Sequence, residues 1–199
     1  MTQVKILVQG YLDNESGGRT CPNVVLIEDG KNKIVVDPGT TKNQKVILDA
    51  LKKEGLTLKD ITYVALTHSH IDHFANIGMF GDKKIIEFFG LWDGGKCLNW
   101  PKFTNIKIIK TPGHAYTGLT FLVIIEPSST SEELGFFHLG GVKKKTIIAI
   151  CGDVWWKENY SKKDPYASDL IELEKSRKKV LKSADWIIPG HGTIFQVKK

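Results

Sequence analysis

The chain is 199 residues long, with 41% apolar and 25% charged residues, a balance that excludes a disordered chain and fits one globular domain over residues 1–199. No run of ~18 apolar residues occurs, so neither a membrane-spanning helix nor a membrane partner is expected, and the opening residues lack the pattern of a secretory leader. The net charge of +6 rests on lysine, since Arg19 and Arg177 are the only arginines among 28 basic residues, and scattered lysine is a weak signature of nucleic-acid recognition.

In chain order the pattern is strand-rich and then mixed. Residues 4–9 form a first predicted strand ending at Gly10. Residues 23–28 and 33–37 are β-branched runs joined across Asp29-Gly30-Lys31-Asn32, which predicts a hairpin. After Pro38-Gly39, Val46, Ile47, Ala50 and Leu51 recur at helical spacing, with Gly55 as the stop. Residues 62–66 predict a short strand, and residues 84–89, 106–110, 119–125 and 146–150 predict four more. Residues 167–184 predict an amphipathic helix with Leu170, Leu173, Val180 and Leu181 on its apolar face and Ser168 or Asp169 as its cap. A last strand over residues 186–188 ends at Pro189-Gly190-His191. Residues 90–104 read as a loop, and residues 126–145 as a loop or hairpin excursion where a homodimer interface would be sought. Cys21, Cys97 and Cys151 are odd in number and far apart, which excludes a disulfide scaffold and points to a cytoplasmic setting.

Five of the six histidines fall in three short polar clusters, each just after an apolar strand. The first is Thr67-His68-Ser69-His70-Ile71-Asp72-His73. Residues two apart on an extended chain face the same way, so His68 and His70 can grip one ion together. Asp72 and His73 then remain for a second. Imidazole and carboxylate are the ligands that zinc, iron and manganese accept. Thr111-Pro112-Gly113-His114 and Pro189-Gly190-His191-Gly192 repeat the same placement, and Asp153 adds an oxygen ligand after residues 146–150. His138, flanked by Phe136, Phe137 and Leu139, reads as packed or interfacial.

Together, Thr67-His68-x-His70-x-Asp72-His73, His114, Asp153 and His191 resemble the metallo-β-lactamase-fold hydrolase superfamily, with Asp37 in Val35-Val36-Asp37-Pro38-Gly39 matching its first motif. The whole-chain layout is similar to the compact group named for metallo-β-lactamase domain-containing protein 1. The resemblance implies an α/β fold, a four-layer αββα sandwich of two mixed β-sheets flanked by helices. It also implies two divalent metal ions, zinc first, with iron and manganese as alternatives. By position, His68, His70 and His114 would hold one metal, Asp72, His73 and His191 the other, with Asp153 bridging and Asp37 orienting a ligand. One departure stands out. Many members read Thr-Pro-Gly-His-Thr-Pro-Gly-His, whereas here Ala115-Tyr116-Thr117-Gly118 follows His114.

Two cations roughly 3.5–4 Å apart can share a water and lower its pKa towards ~7, giving a hydroxide nucleophile. Asp72 is then the candidate catalytic residue, placed to ligate and to take up a proton. The expected activity is hydrolysis of a small ester, thioester or lactone. A phosphodiesterase or ribonuclease on the same site is the alternative, and a mononuclear-iron sulfur dioxygenase ranks third because the second ligand set is complete. Only eight residues follow His191, so a helical substrate domain is not expected. Trp92, Tyr116, Trp155 and Trp156 are the candidate substrate-pocket residues, suited to a small acyl or aromatic molecule or to stacked bases.

Overall fold

Apolar alternation along the strands sorts this chain into layers. The computed structural model describes residues 2–13, 19–127, 144–159 and 163–198. Residues 128–143, with His138 and the centre of the expected excursion, and residues 160–162, with Tyr160, lie outside the described residues. Strands β1 (Thr2–Val8), β4 (Val24–Asp29), β5 (Asn32–Val36), β6 (Tyr63–Ala65), β7 (Lys84–Glu87), β8 (Gly90–Asp93) and β9 (Lys96–Leu98) form one mixed sheet in the order β1-β4-β5-β6-β7-β8-β9. Strands β10 (Ile106–Lys110), β11 (Leu119–Ile125), β12 (Thr146–Ile150), β13 (Trp186–Ile188) and β14 (Phe195–Gln196) form the second, in sequential order. A small ribbon pairs β2 (Tyr11–Asp13) with β3 (Arg19–Cys21).

Val25, Ile27, Ile34 and Val36 face one way and pack against Phe121, Val123, Ile148 and Ile150 of the second sheet. The intervening Val24, Leu26 and Val35 face the other way, onto Ile47 and Leu51 of helix α1 (Gln44–Lys53). On the far side, Leu122, Ala149 and Ile187 pack under Leu173 and Val180 of helix α3 (Leu170–Ser183). Helix, sheet, sheet and helix therefore stack in that order, because period-two strands buried on both faces need an apolar partner on each. The fold is the expected αββα sandwich. Helix α3 starts where Asp169 accepts hydrogen bonds from the N–H groups of Ile171 and Glu172, one of the two predicted caps. Among the described residues no helix is long and apolar enough to cross a membrane.

The expected loop over residues 90–104 is a correction. Its first part is the hairpin β8–β9, with Asp93 paired to Lys96 and Gly94 and Gly95 in the turn at φ +54° and +86°. Two consecutive positive φ values are what a tight hairpin turn demands and glycine supplies. Strands of four and three residues carry too little alternation to stand out in the sequence. The ribbon β2–β3 and strand β14 escaped notice for the same reason.

Strands β5 and β6 run parallel in the first sheet, and β12 and β13 run parallel in the second. Their carboxyl ends meet along one edge of the sandwich, where Leu119 N–H donates to the Thr67 carbonyl (2.6 Å) and Asn23 N–H to that of Gly190 (2.6 Å). Phe121, between the sheets, is the largest fully buried side chain of that inner layer. Phe121→Ala should lower the unfolding free energy by about 3–5 kcal/mol, read from urea midpoints at unchanged m.

Candidate metal centre

At that edge the backbone leaves regular structure and presents polar side chains. After β6 the chain bends at Thr67, reaches an extended His70 and enters helix α2 (Ile71–Phe74), so His68 and His70 come from irregular chain and Asp72 and His73 from a helical turn. His114 follows β10, Asp153 follows β12 and His191 follows β13. A glycine precedes each of these three. A side chain at Gly190 would overlap Asp153 Oδ1, and one at Gly113, where φ is +131°, would overlap the Leu173 backbone. Close approach of backbone to ligand, rather than turn chemistry alone, is what glycine provides here.

The side chains fall into two groups whose donor atoms converge. His68, His70, His114 and Asp153 form the first, and Asp72, His73 and His191 the second, with donor atoms in each within 4.8 Å of one another. His114 Nε2 lies 2.9 Å from His70 Nδ1. Asp153 belongs to both neighbourhoods. Its Oδ2 is 3.3 Å from His114 Nε2, while its Oδ1 is 3.2 Å from His191 Nε2 and 3.4 Å from His73 Nε2. Asp72 Oδ2 stands 3.6 Å from His191 Nε2 and accepts a hydrogen bond from Thr20 on β3 (2.9 Å).

Four of the five rings are held through Nδ1 by a neighbouring oxygen. His73 Nδ1 is 2.8 Å from Asp37 Oδ2, His114 Nδ1 is 2.6 Å from Asp164 Oδ2, and His191 Nδ1 is 2.9 Å from the Cys21 carbonyl. His68 Nδ1 meets Thr67 Oγ1 at 3.1 Å, and that hydroxyl donates in turn to Asp37 Oδ2 (2.6 Å). Asp37 also accepts the Thr67 N–H (2.8 Å), and it sits at φ +50°, a strained conformation held by these bonds. His68 Nε2, His73 Nε2 and Asp153 Oδ1 are buried, aimed into the centre, and make no hydrogen bond among the described residues. Buried polar atoms left this way cost free energy unless something satisfies them, and convergent imidazole nitrogens with a shared carboxylate are the ligand set of a divalent cation.

Electrostatics agree with that fit. Burial pushes the pKa of His68 well below its ordinary value, with the His73 charge adding to the effect, and burial likewise lowers that of His70. At His73 burial also opposes charge, but Asp153 and Asp37 outweigh it and hold the pKa well above the usual imidazole value. Burial opposes the charge on Asp153 too, and His73 and His191 overcome it, keeping the carboxylate ionised far into acid. Both shifts favour opposite charges on His73 and the carboxylates that face it.

Among the aromatic residues, Trp156 reaches the cluster, its ring 5.9 Å from His114 and 6.3 Å from His191, and Tyr166 stacks on it at 5.4 Å. Tyr116 is exposed two residues beyond His114, on the rim. Trp155 is a correction: its ring packs 6.3 Å from Phe195 and beside Arg177, in the layer under α3. Trp92 bonds Glu87 (2.6 Å) on β8, two strands beyond β6. Successive tryptophans on extended chain point to opposite sides, which turns Trp156 inward and Trp155 outward. Cys151 is buried, its thiol pushed up in pKa by burial, and bonds backbone carbonyls. Asp164 went unrecognised in the sequence, where Lys163-Asp164-Pro165 reads as an ordinary turn.

The family model described as the metallo-beta-lactamase superfamily matches residues 18–90, the segment that carries Asp37 and the first histidine cluster. Metallo-beta-lactamase domain-containing protein 1 of Xenopus laevis is 28% identical over 209 residues, covering 98% of this chain and 82% of that protein. The chain is therefore similar to the metallo-beta-lactamase superfamily in the segment that carries the first ligand cluster. A Methanocaldococcus jannaschii protein named "Probable metallo-hydrolase" is 31% identical over 124 residues, 60% of this chain and 61% of that one. A solved Thermotoga maritima structure described as a "putative metallo-beta-lactamase" aligns at a TM-score of 0.67 and 21% identity, over 98% of this chain and 99% of that chain, which shows a shared fold.

The raised pKa of His73 has a measurable consequence. At neutral pH a cation entering the second group must displace the His73 proton, which is lost in the free protein only as pH rises through the raised value. Apparent affinity should therefore increase with pH above ~6.5. Titration calorimetry in buffers of different ionisation enthalpy should show proton release on binding.

Proposed function

We propose that this protein is a hydrolase in which each ligand group would hold one divalent cation, with Asp153 facing both groups. The observation that supports this most directly is the division of the Asp153 oxygens, Oδ2 toward His114 and Oδ1 toward His73 and His191, beside orphaned His68 and His73 nitrogens. The donor set of five imidazoles and two carboxylates suits zinc, and also accepts iron or manganese. When bound, such cations supply an activated water and stabilise negative charge that develops on a substrate oxygen. The remaining work belongs to the chain. His68, His70 and His114 hold the first group, His73 and His191 the second, and Asp72, fixed by Thr20, offers a carboxylate to accept a proton. Trp156 and its stacked Tyr166 exclude water on the His114 side, and Tyr116 offers apolar surface on the rim.

A small ester, thioester or lactone is the proposed substrate class, supported by aromatic surface beside the histidines and by the scarcity of arginine. Phosphodiester cleavage is the second reading, favoured by the net charge of +6. Metal analysis of purified protein should approach about two equivalents per chain, and one equivalent would overturn the two-cation assignment. Asp153→Ala should abolish turnover and reduce the metal content. Thioester, lactone, bis(p-nitrophenyl) phosphate and single-stranded RNA, compared on metal-reconstituted protein, decide the class. Dominant RNA cleavage that falls steeply with salt would replace the acyl reading.

A further inference from the structure

Four of the histidine rings are oriented by identifiable acceptors, and these acceptors differ in charge. His68 and His191 lean on neutral oxygens, Thr67 Oγ1 and the Cys21 carbonyl. His73 leans on the Asp37 carboxylate in the second group. The first group has a matching carboxylate that the ligand motifs do not contain. Asp164 Oδ2 is 2.6 Å from His114 Nδ1, its side chain has no exposure to solvent, and its Oδ1 accepts the Tyr166 N–H (2.9 Å).

The surrounding chain locks this pair in place. Ser168 N–H donates to the His114 carbonyl (3.0 Å), and Asp169 N–H and Ser168 Oγ both donate to the Gly113 carbonyl (2.9 and 3.0 Å). The segment from Asp164 to the cap of α3 is therefore strapped to the loop that carries His114. The Trp156 indole nitrogen also approaches His114 Nδ1, at 3.4 Å. One ring nitrogen cannot donate to Asp164 and accept from Trp156 together. The shorter, charge-assisted contact prevails, so Nδ1 carries the proton and Nε2 is left free toward His70 and Asp153.

We propose that Asp164 is the positioning residue of the first ligand group: it fixes the tautomer and angle of His114 and raises the cation affinity of that group selectively. A carboxylate behind a ligating imidazole makes the ring a better donor. Each ligand group then has one carboxylate–imidazole pair, Asp37–His73 and Asp164–His114, on either side of the shared Asp153. The proposal rests on the reading that the first group binds a cation.

The test measures cobalt affinity by absorption titration in two backgrounds. His191→Ala disables the second group, and His70→Ala disables the first. Adding Asp164→Asn to His191→Ala should weaken cobalt binding about tenfold to a hundredfold and shift the visible d–d spectrum. Adding it to His70→Ala should change affinity by less than about twofold. Equal weakening in both backgrounds would mean a merely structural role, and no weakening in the His191→Ala background would also overturn the proposal. Wild-type protein that takes up no cobalt would instead overturn the proposed function, and this inference with it. Should Asp164→Asn fail to fold, long-range 1H–15N spectra of the zinc-loaded wild type decide the matter. His114 should be the Nδ1–H tautomer, its proton further downfield than those on Nδ1 of His68 and His191. An Nε2–H tautomer, or a proton no further downfield, would overturn the proposal.

Discussion

The structure depends on one buried carboxylate shared by two clusters of imidazoles. Asp153 is enclosed, ionised, and turned so that each oxygen serves a different set of histidine nitrogens. An isolated ionised carboxylate buried in this way would cost several kcal/mol, so its surroundings must supply compensating positive charge. Against burial, Asp153 and Asp37 in turn hold the His73 pKa above the usual imidazole value, which favours positive charge on that ring. A divalent cation supplies more of it, and satisfies the orphaned nitrogens of His68 and His73 at the same time. Crowding explains the glycine at 190, since any side chain there would overlap the Asp153 oxygen, while a side chain at Gly152 would overlap the Thr67 hydroxyl.

Precision at such a site comes from what lies behind the ligands. Asp37 anchors both halves of the first motif, His73 directly and His68 through the Thr67 hydroxyl, and its positive φ places the carboxylate between them. Strain of this kind persists only where surrounding bonds over-determine it, and three hydrogen bonds converge on that side chain. Asn23 performs the corresponding task for the His191 loop, donating from Nδ2 to the Pro189 and Gly192 carbonyls (2.7 Å each). Rigid strands on each side then hold the loops at fixed separation, which is how a two-sheet scaffold keeps ligands from distant parts of the chain within reach.

Much of this was legible in the sequence because the signals are local. A hairpin across Asp29 to Asn32, a helix ended by Gly55, and long apolar strands such as β11 each declare themselves within a few residues. So do the histidine clusters, whose close spacing brings His68 and His70 together. The hairpin β8–β9 was hidden because its strands are short and their outer residues exposed, leaving only Gly94-Gly95 as a marker. Trp155 and Trp156 are identical in the sequence and opposite in space, one under α3 and the other against His114 and His191. Which way such a pair turns depends on backbone direction after β12, and no local pattern encodes it.

The αββα sandwich is implied by the family resemblance, whereas the sequence alone determined the ligand types, the individual long strands and helices, and the lysine character of the charge. These follow from side-chain chemistry and from repeats of two or 3.6 residues, which need no knowledge of distant contacts. Tertiary structure alone decided that Asp153 faces both clusters, that Asp37 reaches two histidines, and that Asp164 stands behind His114 across 50 positions of chain. Such pairings arise only when separate sheets close on one another, and burial then gives a short hydrogen bond between far-separated residues the strength to fix a ligand.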